Sequence, residues 1–212
     1  MGKLFFFDID GTLTGVEKPG YIYESTKEAI RQLKANGHFV ALATGRAAFR
    51  ARMFQEEIGI ENMICEGGNQ LIINWETVEY TPIDQQVAKT ICEKALAYDF
   101  GIAISISDTR VRFTPNKRFI EDAGDFHDFM DVVIDEKLDY QNAGIIRRLF
   151  LTIPKGKEDM IPEIDLIGRM HYGNDQFIIV EPDHKYTGIT KMCKRLGKDE
   201  NDVVVFGDGE ND

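Results

Sequence analysis

Two aspartates, Asp8 and Asp10, stand at the end of an uninterrupted apolar run, Leu4–Phe7. Such a run predicts a strand that is covered on both faces of a parallel sheet. Two like charges this close together resist joint ionisation unless a cation compensates them. The pair therefore indicates a cation-binding site at the end of the first strand.

Polar side chains also follow two other predicted strands, residues 39–43 and 203–206. Thr44, Gly45 and Arg46 follow the first of these strands, and Asp208 and Asp212 follow the second. In an open α/β sheet, ligands bind just outside the carboxyl ends of the strands. Mg²⁺ compensates clustered acids of this kind, and it commonly takes one or two carboxylates together with phosphate and water. The pattern predicts a magnesium site that faces a phosphorylated ligand.

The Asp-x-Asp-Gly segment has two other interpretations. A lone Asp-Gly most often marks a turn, and the segment alone leaves that interpretation open. An EF-hand calcium loop needs Asp at its first and third positions and Gly at its sixth. Counted from Asp8, the sixth residue is Leu13, which excludes the EF-hand.

The composition is that of an ordinary globular protein with an acidic surface. The chain has 212 residues, 25 Lys and Arg against 36 Asp and Glu, and a formal net charge of −11. Nucleic acids and anionic membranes need a basic footprint, so neither is expected as a partner. No apolar run approaches the roughly 20 residues of a membrane helix, and the start of the chain does not resemble a signal peptide. We expect a soluble, cytoplasmic protein, a monomer or a homodimer.

The three cysteines, Cys65, Cys92 and Cys193, lie far apart, and no two of them form a Cys-x-x-Cys pair. They stand in apolar or amphipathic stretches. An odd number at such distances predicts reduced, buried thiols and neither a disulfide framework nor a zinc site.

The first 65 residues alternate strands and helices. Strands are predicted over three short apolar runs, residues 4–7, 39–43 and 63–65, with a helix in each interval. Ser25 and Glu28 have the spacing of a capping box at the start of the first helix. This βαβαβ alternation predicts a doubly wound parallel sheet.

A different pattern occupies the middle of the chain. It mixes strands with predicted helices over residues 84–99 and 118–130, as an α+β domain would. A helix over residues 187–196 and a strand over residues 203–206 then return to the pattern of the first part. The middle therefore indicates an insertion. The predicted domains are residues 1–81 with 181–212, and residues 82–180.

Four segments resemble the motifs of the haloacid dehalogenase-like phosphohydrolase superfamily. They are Asp8-Ile-Asp10-Gly-Thr12, Thr44-Gly-Arg46, a later lysine and Gly207-Asp208-Gly-Glu-Asn-Asp212. The insertion after the third strand resembles the type IIB cap of the Cof-like subfamily. The resemblance covers the whole chain and implies a Rossmann-like doubly wound core with an inserted α+β cap of the C2B type.

By this resemblance Asp8 is the nucleophile, which forms an aspartyl-phosphate. Asp10 protonates the leaving oxygen and later takes a proton from the attacking water, a contribution worth about 10²–10⁴-fold. The resemblance also implies that Asp8, Asp208, Asp212 and the main-chain carbonyl of Asp10 hold Mg²⁺. Thr44 would hydrogen-bond the phosphoryl group, with a helix cap as its alternative role.

The family lysine corresponds best to Lys185, although Tyr186 takes the place of the glycine that normally follows it. We expect Lys185 to neutralise Asp8 and the phosphate, whereas Lys191 fits a solvated helix face. The predicted substrate-binding residues are Thr44, Gly45, Arg46, Lys185 and Asn211. For Arg46 an exposed helical position is the alternative, and for Asn211 a turn.

Two further segments depart from the family pattern. Asn69 lies two positions beyond the asparagine that the family places at the mouth of the cap hinge, and a phosphate or substrate contact is the hypothesis for it. The acidic segment 125–128 contains Asp and His, but an amphipathic helix face explains it better than a metal site does.

The resemblance implies a Mg²⁺-dependent phosphatase for small phosphomonoesters: sugar phosphates, phosphorylated cofactors or nucleotides. The cap would select the substrate. A phosphomutase of the same superfamily and a non-catalytic binding or regulatory protein are the alternatives. The family pattern also implies a further helix, strand and helix after Asp212, so we expect that the chain as given is a truncated form.

Overall fold

A computed structural model of the chain describes residues 2–15, 17–125, 129–172 and 176–209. Contacts divide the chain into two compact units, Met1–Thr81 with Asp183–Asp212, and Pro82–Pro182. We name them the first unit and the second unit. Every helix within the described ranges is too short or too polar to span a bilayer.

The first unit is built on one six-stranded sheet. Its strands are β1 (Leu4–Phe7), β2 (Phe39–Ala43), β3 (Asn62–Cys65), β4 (Gln70–Ile73), β5 (Glu76–Tyr80) and β12 (Val203–Phe206). Their order is β12-β1-β2-β3-β4-β5. The first four strands in this order pair in parallel, and β4 and β5 add an antiparallel hairpin. The loops that follow β12, β1 and β2 therefore leave the sheet at the same edge.

Three helices cover the two faces of this sheet: α1 (Glu24–Ala35), α2 (Ala48–Ile58) and α5 (Lys185–Leu196). Helices α1 and α2 pack on one face, which buries Phe7, Leu42 and Met63. Helix α5 packs on the opposite face, which buries Phe6 and Ile64. Because side chains alternate along a strand, neighbouring apolar residues enter different cores. The continuous apolar runs are thus explained, and the predicted doubly wound core is confirmed.

The start of α1 differs from the prediction. The helix begins at Glu24, and the carbonyl of Tyr23 accepts hydrogen bonds from the amides of Thr26 and Lys27. The first turn therefore closes before Ser25 can cap it, and no side chain caps this helix. The predicted capping box is wrong.

The second unit combines a mixed sheet with short helices. In chain order its elements are α3 (Gln85–Ala97), β6 (Gly101–Ser105), β7 (Val111–Thr114), α4 (Arg118–Asp122), β8 (Asp131–Ile134), β9 (Arg148–Thr152), β10 (Arg169–Tyr172) and β11 (Phe177–Val180). The strand order is β10-β11-β9-β6-β7-β8. Apolar side chains of α3 pack on one face of this sheet, and Phe119 of α4 packs on the other. The unit is an α+β insertion, as predicted.

Two details of the second unit depart from the sequence analysis. The helix predicted over residues 118–130 ends at Asp122, and residues 126–128 lie outside the described ranges. Strand β8, which the sequence analysis did not predict, pairs in parallel with β7. Val132, Val133 and Ile134 are β-branched and favour a strand, but the helix predicted up to Met130 left this segment unassigned.

Candidate active site

Asp8 directly follows β1, and its buried carboxylate pairs with Lys185. The Nζ atom of Lys185 lies 2.9 Å from Oδ1 of Asp8, and the two side chains are only 6% and 8% exposed, respectively. The amide of Asp8 donates to the carbonyl of Phe206 at 2.9 Å, which extends the pairing of β1 with β12 by one residue. A buried charge is tolerated when an opposite charge and hydrogen bonds compensate it, and this pair meets that condition.

Parallel pairing also brings Asp208 to the same sheet edge. Phe7 is the register partner of Phe206, so Asp8 and Asp208 follow paired strand ends by one and two residues. Thr12 Oγ1 lies 3.3 Å from Oδ1 of Asp208. A Cβ atom added to Gly11 would fall 2.1 Å from Oδ2 of Asp208. The loop after β1 therefore has room for this carboxylate only because residue 11 is a glycine.

The same loop directs Asp10 outward. Ile9 is fully buried, and its carbonyl accepts hydrogen bonds from the amide of Thr14 at 2.9 Å and from the Thr14 hydroxyl at 3.0 Å. The turn fixed by these bonds leaves the side chain of Asp10 59% exposed. Asp8 and Asp10 thus differ sharply in environment although they are two residues apart.

Asp10 is held by Arg46 in a two-pronged ion pair. Arg46 Nε donates to Oδ2 of Asp10 at 2.7 Å, and Nη2 donates to Oδ1 at 2.6 Å. The guanidinium carbon of Arg46 also lies 4.8 Å from the centre of the Phe54 ring. The structure therefore places Arg46, predicted to bind substrate, on the predicted acid–base residue.

Thr44 is buried at the end of β2. Its amide donates to the carbonyl of Ile64 at 2.9 Å, and its hydroxyl oxygen accepts from the amide of Arg46 at 3.1 Å. Helix α2 begins only at Ala48, and its N-cap residue is Ala47. The alternative role of Thr44 as a helix cap is therefore wrong. Gly45 lies between Thr44 and Arg46 in the same turn.

The turn over residues 66–69, which ends at Asn69, supports this group. The amide of Glu66 donates to the carbonyl of Arg46 at 2.9 Å, and the amide of Gly67 approaches the carbonyl of Thr44 at 3.3 Å. On its other side, the carbonyl of Gly67 accepts from the amide of His184 at 3.1 Å. Glu66 is buried with a φ of 52°, in the left-handed region. The turn thus connects the loop after β2 to the residue before Lys185.

Helix α5 approaches this turn through two glycines. A Cβ atom on Gly188 would lie 2.4 Å from Cγ2 of Ile64 and 2.9 Å from Cα of Gly68. One on Gly68 would lie 2.5 Å from the carbonyl oxygen of His184. Gly188 is one helical turn after Lys185, so this close packing sets how near Lys185 comes to Asp8. In the sequence, this close approach of α5 to the turn is indicated by Gly67-Gly68 together with Gly188.

The remaining predicted residues occupy other places. Tyr186, which replaces the family's small residue, is exposed and its hydroxyl donates to Glu200; that hydrogen bond raises the pKa of Tyr186. Lys191, expected on a solvated face of α5, is half-buried: it donates to Thr81 Oγ1 at 2.9 Å and pairs with Glu79 of β5 at 3.6 Å. The main-chain amide and carbonyl of Asn69 bond within the first unit. Asn211, Asp212 and most of segment 125–128 lie outside the described ranges.

The donor set at this edge is suited to a hard dication. Within the described ranges, no three His, Cys, Asp or Glu side chains form a metal site by themselves. Mg²⁺, however, needs only one or two carboxylates when phosphate and water complete its shell. Asp8 and Asp208 provide two carboxylates on neighbouring loops, and the space beside Gly11 accommodates the second of them. These residues fit Mg²⁺.

Known proteins resemble this chain in sequence and in fold over almost its whole length. The E. coli K12 phosphatase YbjI, named for 5-amino-6-(5-phospho-D-ribitylamino)uracil, is 26% identical over 226 residues, covering 99% of this chain and 80% of its own. A solved structure from Geobacillus kaustophilus HTA426 is 27% identical with a TM-score of 0.81, covering 100% of this chain and 82% of that one. The subclass IIB sugar phosphatase BT4131 has a TM-score of 0.72 at 23% identity, covering 99% and 82%.

A family model agrees with these similarities and extends over almost the whole chain. The model, described as haloacid dehalogenase-like hydrolase, matches residues 5–212. It therefore includes β1, β12 and the loops that carry Asp8, Thr44, Lys185 and Asp208. The chain belongs to the haloacid dehalogenase-like hydrolase family.

Proposed function

We propose that this chain is a Mg²⁺-dependent phosphatase that cleaves small phosphomonoesters through a phosphoryl group carried on Asp8. Its family makes it a metal-dependent phosphatase of the haloacid dehalogenase type. The nucleophile, the identity of the metal and the substrate class are our proposal. The single observation that carries it is the buried ion pair between Lys185 and Asp8 at the edge of the sheet where Asp208 also lies.

In the first step a carboxylate oxygen of Asp8 attacks phosphorus. The bond between phosphorus and the leaving oxygen breaks, and Asp10 gives its proton to that oxygen, so that the alcohol departs. In the second step water attacks phosphorus and gives a proton to Asp10, while the bond from phosphorus to Asp8 breaks. Inorganic phosphate leaves and both aspartates return to their starting states. A covalent intermediate divides one difficult displacement into two easier ones.

Lys185 and Thr44 are assigned to the phosphoryl group. The ammonium group of Lys185 already compensates Asp8, and it offsets the added negative charge as phosphate approaches. The Thr44 hydroxyl accepts its hydrogen bond from Arg46, so its own proton is directed elsewhere, and we assign it to a phosphoryl oxygen. Both side chains are buried and held in place before substrate arrives, which favours transition-state stabilisation.

The metal would be held by the carboxylates of Asp8 and Asp208 and by the main-chain carbonyl of Asp10. Asp212, which lies outside the described ranges, is assigned to the same site. Bound there, Mg²⁺ supplies positive charge that stabilises the phosphoryl group during its transfer.

The substrate class is proposed from the relatives and from charge. YbjI is named for a phosphorylated ribityl compound and BT4131 for sugar phosphates. We assign a small sugar phosphate, phosphorylated cofactor or nucleotide to this chain, and we assign the choice among them to the second unit. The net charge of −11 disfavours polymeric anions as substrates.

The test is phosphate release from a panel of phosphomonoesters, with and without Mg²⁺. We expect Asp8→Asn to lose turnover and to yield no phosphorylated protein after acid quenching. Asp10→Asn should lower turnover by about 10²–10⁴-fold. Lys185→Met should also lose turnover, whereas Lys191→Met, on the same helix but paired with Thr81 and Glu79 and not with Asp8, is the matched control and should retain it.

Two outcomes would contradict the proposal. One is metal-independent phosphate release by Asp8→Asn at the wild-type rate. The other is a wild-type reaction that needs a bisphosphate activator and transfers phosphate to a second hydroxyl, which would identify a phosphomutase.

A further inference from the structure

The link between Arg46 and Asp10 joins two loops that are far apart in the sequence. Two N–H groups of one guanidinium donate to both oxygens of one carboxylate, at 2.7 and 2.6 Å. Such a fork-to-fork pair fixes the plane of the carboxylate as well as its position. A lysine would supply charge at this place but could not fix the plane.

Arg46 is anchored more firmly than Asp10. Its guanidinium stacks on the ring of Phe54, its amide donates to Thr44 Oγ1, and its carbonyl accepts from the amide of Glu66. The Arg46 side chain is 24% exposed, compared with 59% for that of Asp10. The fixed partner is therefore the arginine, and the carboxylate takes its orientation from it.

We propose that Arg46 is a positioning residue that orients the carboxylate of Asp10 for the two proton transfers, instead of binding the phosphoryl group as its motif predicted. The proposal rests on the proposed function, because it needs Asp10 to act as acid and base. An exposed aspartate can rotate among several conformations, and misplacing a catalytic group by about 1 Å can cost about 10²-fold. Arg46 removes that freedom before substrate arrives.

The leaving group of the substrate distinguishes the two roles of Arg46. An alkyl phosphate needs a proton on its departing oxygen, whereas 4-nitrophenol departs readily as an anion. If Arg46 acts through Asp10, Arg46→Gln should lower kcat/KM for an alkyl phosphate by about 10²-fold and for 4-nitrophenyl phosphate far less. Asp10→Asn should show the same contrast. A residue that holds the phosphoryl group would affect both substrates equally.

Two further measurements separate positioning from a merely structural effect. In an Asp10→Asn background, Arg46→Gln should add little further loss, because its partner is already gone. The inhibition constant of inorganic phosphate should be the same in Arg46→Gln and wild type. Arg46→Lys keeps the charge and most of the stem over Phe54, and it should fail to restore the alkyl phosphate reaction.

The matched control is Arg52→Gln. Arg52 lies on α2, the helix that follows Arg46, and its guanidinium is likewise near an aromatic ring, 5.8 Å from the centre of Trp75. It should leave both reactions unchanged. Thermal unfolding of each variant reports folding, and Arg46→Lys provides the decisive comparison if Arg46→Gln does not fold.

Different results would contradict the inference and the proposed function, so the two can be distinguished. Equal losses on both substrates, additive losses in the double variant, or weaker inhibition by phosphate in Arg46→Gln would assign Arg46 to the phosphoryl group and overturn the inference. Full recovery by Arg46→Lys would also overturn it. Activity that persists in Asp8→Asn would instead overturn the proposed function.

Discussion

A substitution at Gly11 tests whether Asp208 binds the metal. Its φ of 80° lies in the left-handed region, and a Cβ atom there would fall 2.1 Å from Oδ2 of Asp208. Gly11→Ala should push this carboxylate out of place. We expect Mg²⁺ affinity to fall by about 10–100-fold, the range seen when the support of a metal ligand is lost. Calorimetric titration of Mg²⁺ without substrate measures this directly.

Gly20→Ala is the control for that measurement. Gly20 has the same φ of 80°, but nothing lies within 4 Å of the position where a Cβ atom would be. Both variants carry the backbone strain of a left-handed alanine, about 1–2 kcal/mol, and only Gly11→Ala disturbs Asp208. Equal Mg²⁺ affinities in the two variants would show that Asp208 does not bind the metal or is not displaced.

The element that presents Lys185 is α5, and its packing can be tested at Gly188. Gly→Ala within a helix normally stabilises a protein by about 0.5–1 kcal/mol. Here the added methyl would lie 2.4 Å from Cγ2 of Ile64, so α5 must shift. We expect Gly188→Ala to lower the free energy of unfolding by about 1–3 kcal/mol, the usual cost of overpacking, and to reduce turnover.

Urea denaturation of Gly188→Ala and Thr187→Ala provides the comparison. Thr187 is the preceding residue of the same helix and is exposed, so its replacement should change stability by less than about 0.5 kcal/mol. A Gly188→Ala protein that is as stable as wild type, with full turnover, would show that the approach of α5 to Gly68 does not hold Lys185 in place.

Elements with a strong local pattern could be predicted from the sequence, and those set by distant contacts could not. The apolar runs of β1 and β2 are visible because both faces of each strand are buried, and the family and fold class that they predicted are confirmed. The apolar run of β12 also predicted a strand, although β12 is the edge strand of the sheet and Val205 and Phe206 are exposed. Strand β8 was missed although Val132, Val133 and Ile134 are β-branched, because the run is short and half-exposed and directly follows a segment that was assigned to a helix. The capping box failed because Tyr23, a residue without a capping side chain, begins the first turn.

The candidate site shows the same contrast between local patterns and distant contacts. Residue types at strand ends indicated Asp8, Asp10, Thr44 and Asp208, because parallel strands deliver their ends to one edge. The orientation of Arg46 toward Asp10 is a tertiary contact over 36 positions of sequence, and no spacing rule contains it. The roles of these residues in catalysis remain predictions.

At the scale of the whole molecule, each unit has its own core and its own buried thiols. Cys65 and Cys193 lie in the first unit and Cys92 in the second, and all three are buried thiols outside any disulfide. Burial raises the pKa of Cys92 from 9.0 to about 12, and burial also raises the pKa of Cys193. In the folded protein the thiols of Cys92 and Cys193 therefore stay protonated at pH values at which the unfolded chain has lost these protons.

This difference makes stability depend on pH in the alkaline range. Between pH 9 and 12 the unfolded state binds fewer protons at residue 92 than the folded state does. The contribution of Cys92 is complete below pH 9, and the free energy of unfolding then falls by about 1.4 kcal/mol per pH unit. At pH 10.5 the loss from this thiol should be about 2 kcal/mol. Urea unfolding with a reductant at pH 7.5, 9 and 10.5 measures it.

Comparison with Cys92→Ala isolates the thiol from other alkaline effects. Lysines also lose charge as pH rises, and a chain with a net charge of −11 then repels itself more strongly, in the variant as in wild type. Removing the Cys92 thiol costs stability at every pH, but the variant should lose about 2 kcal/mol less than wild type between pH 7.5 and 10.5. Parallel pH profiles for the two proteins would mean that Cys92 is accessible to solvent in the folded state or ionises there as it does in the unfolded chain.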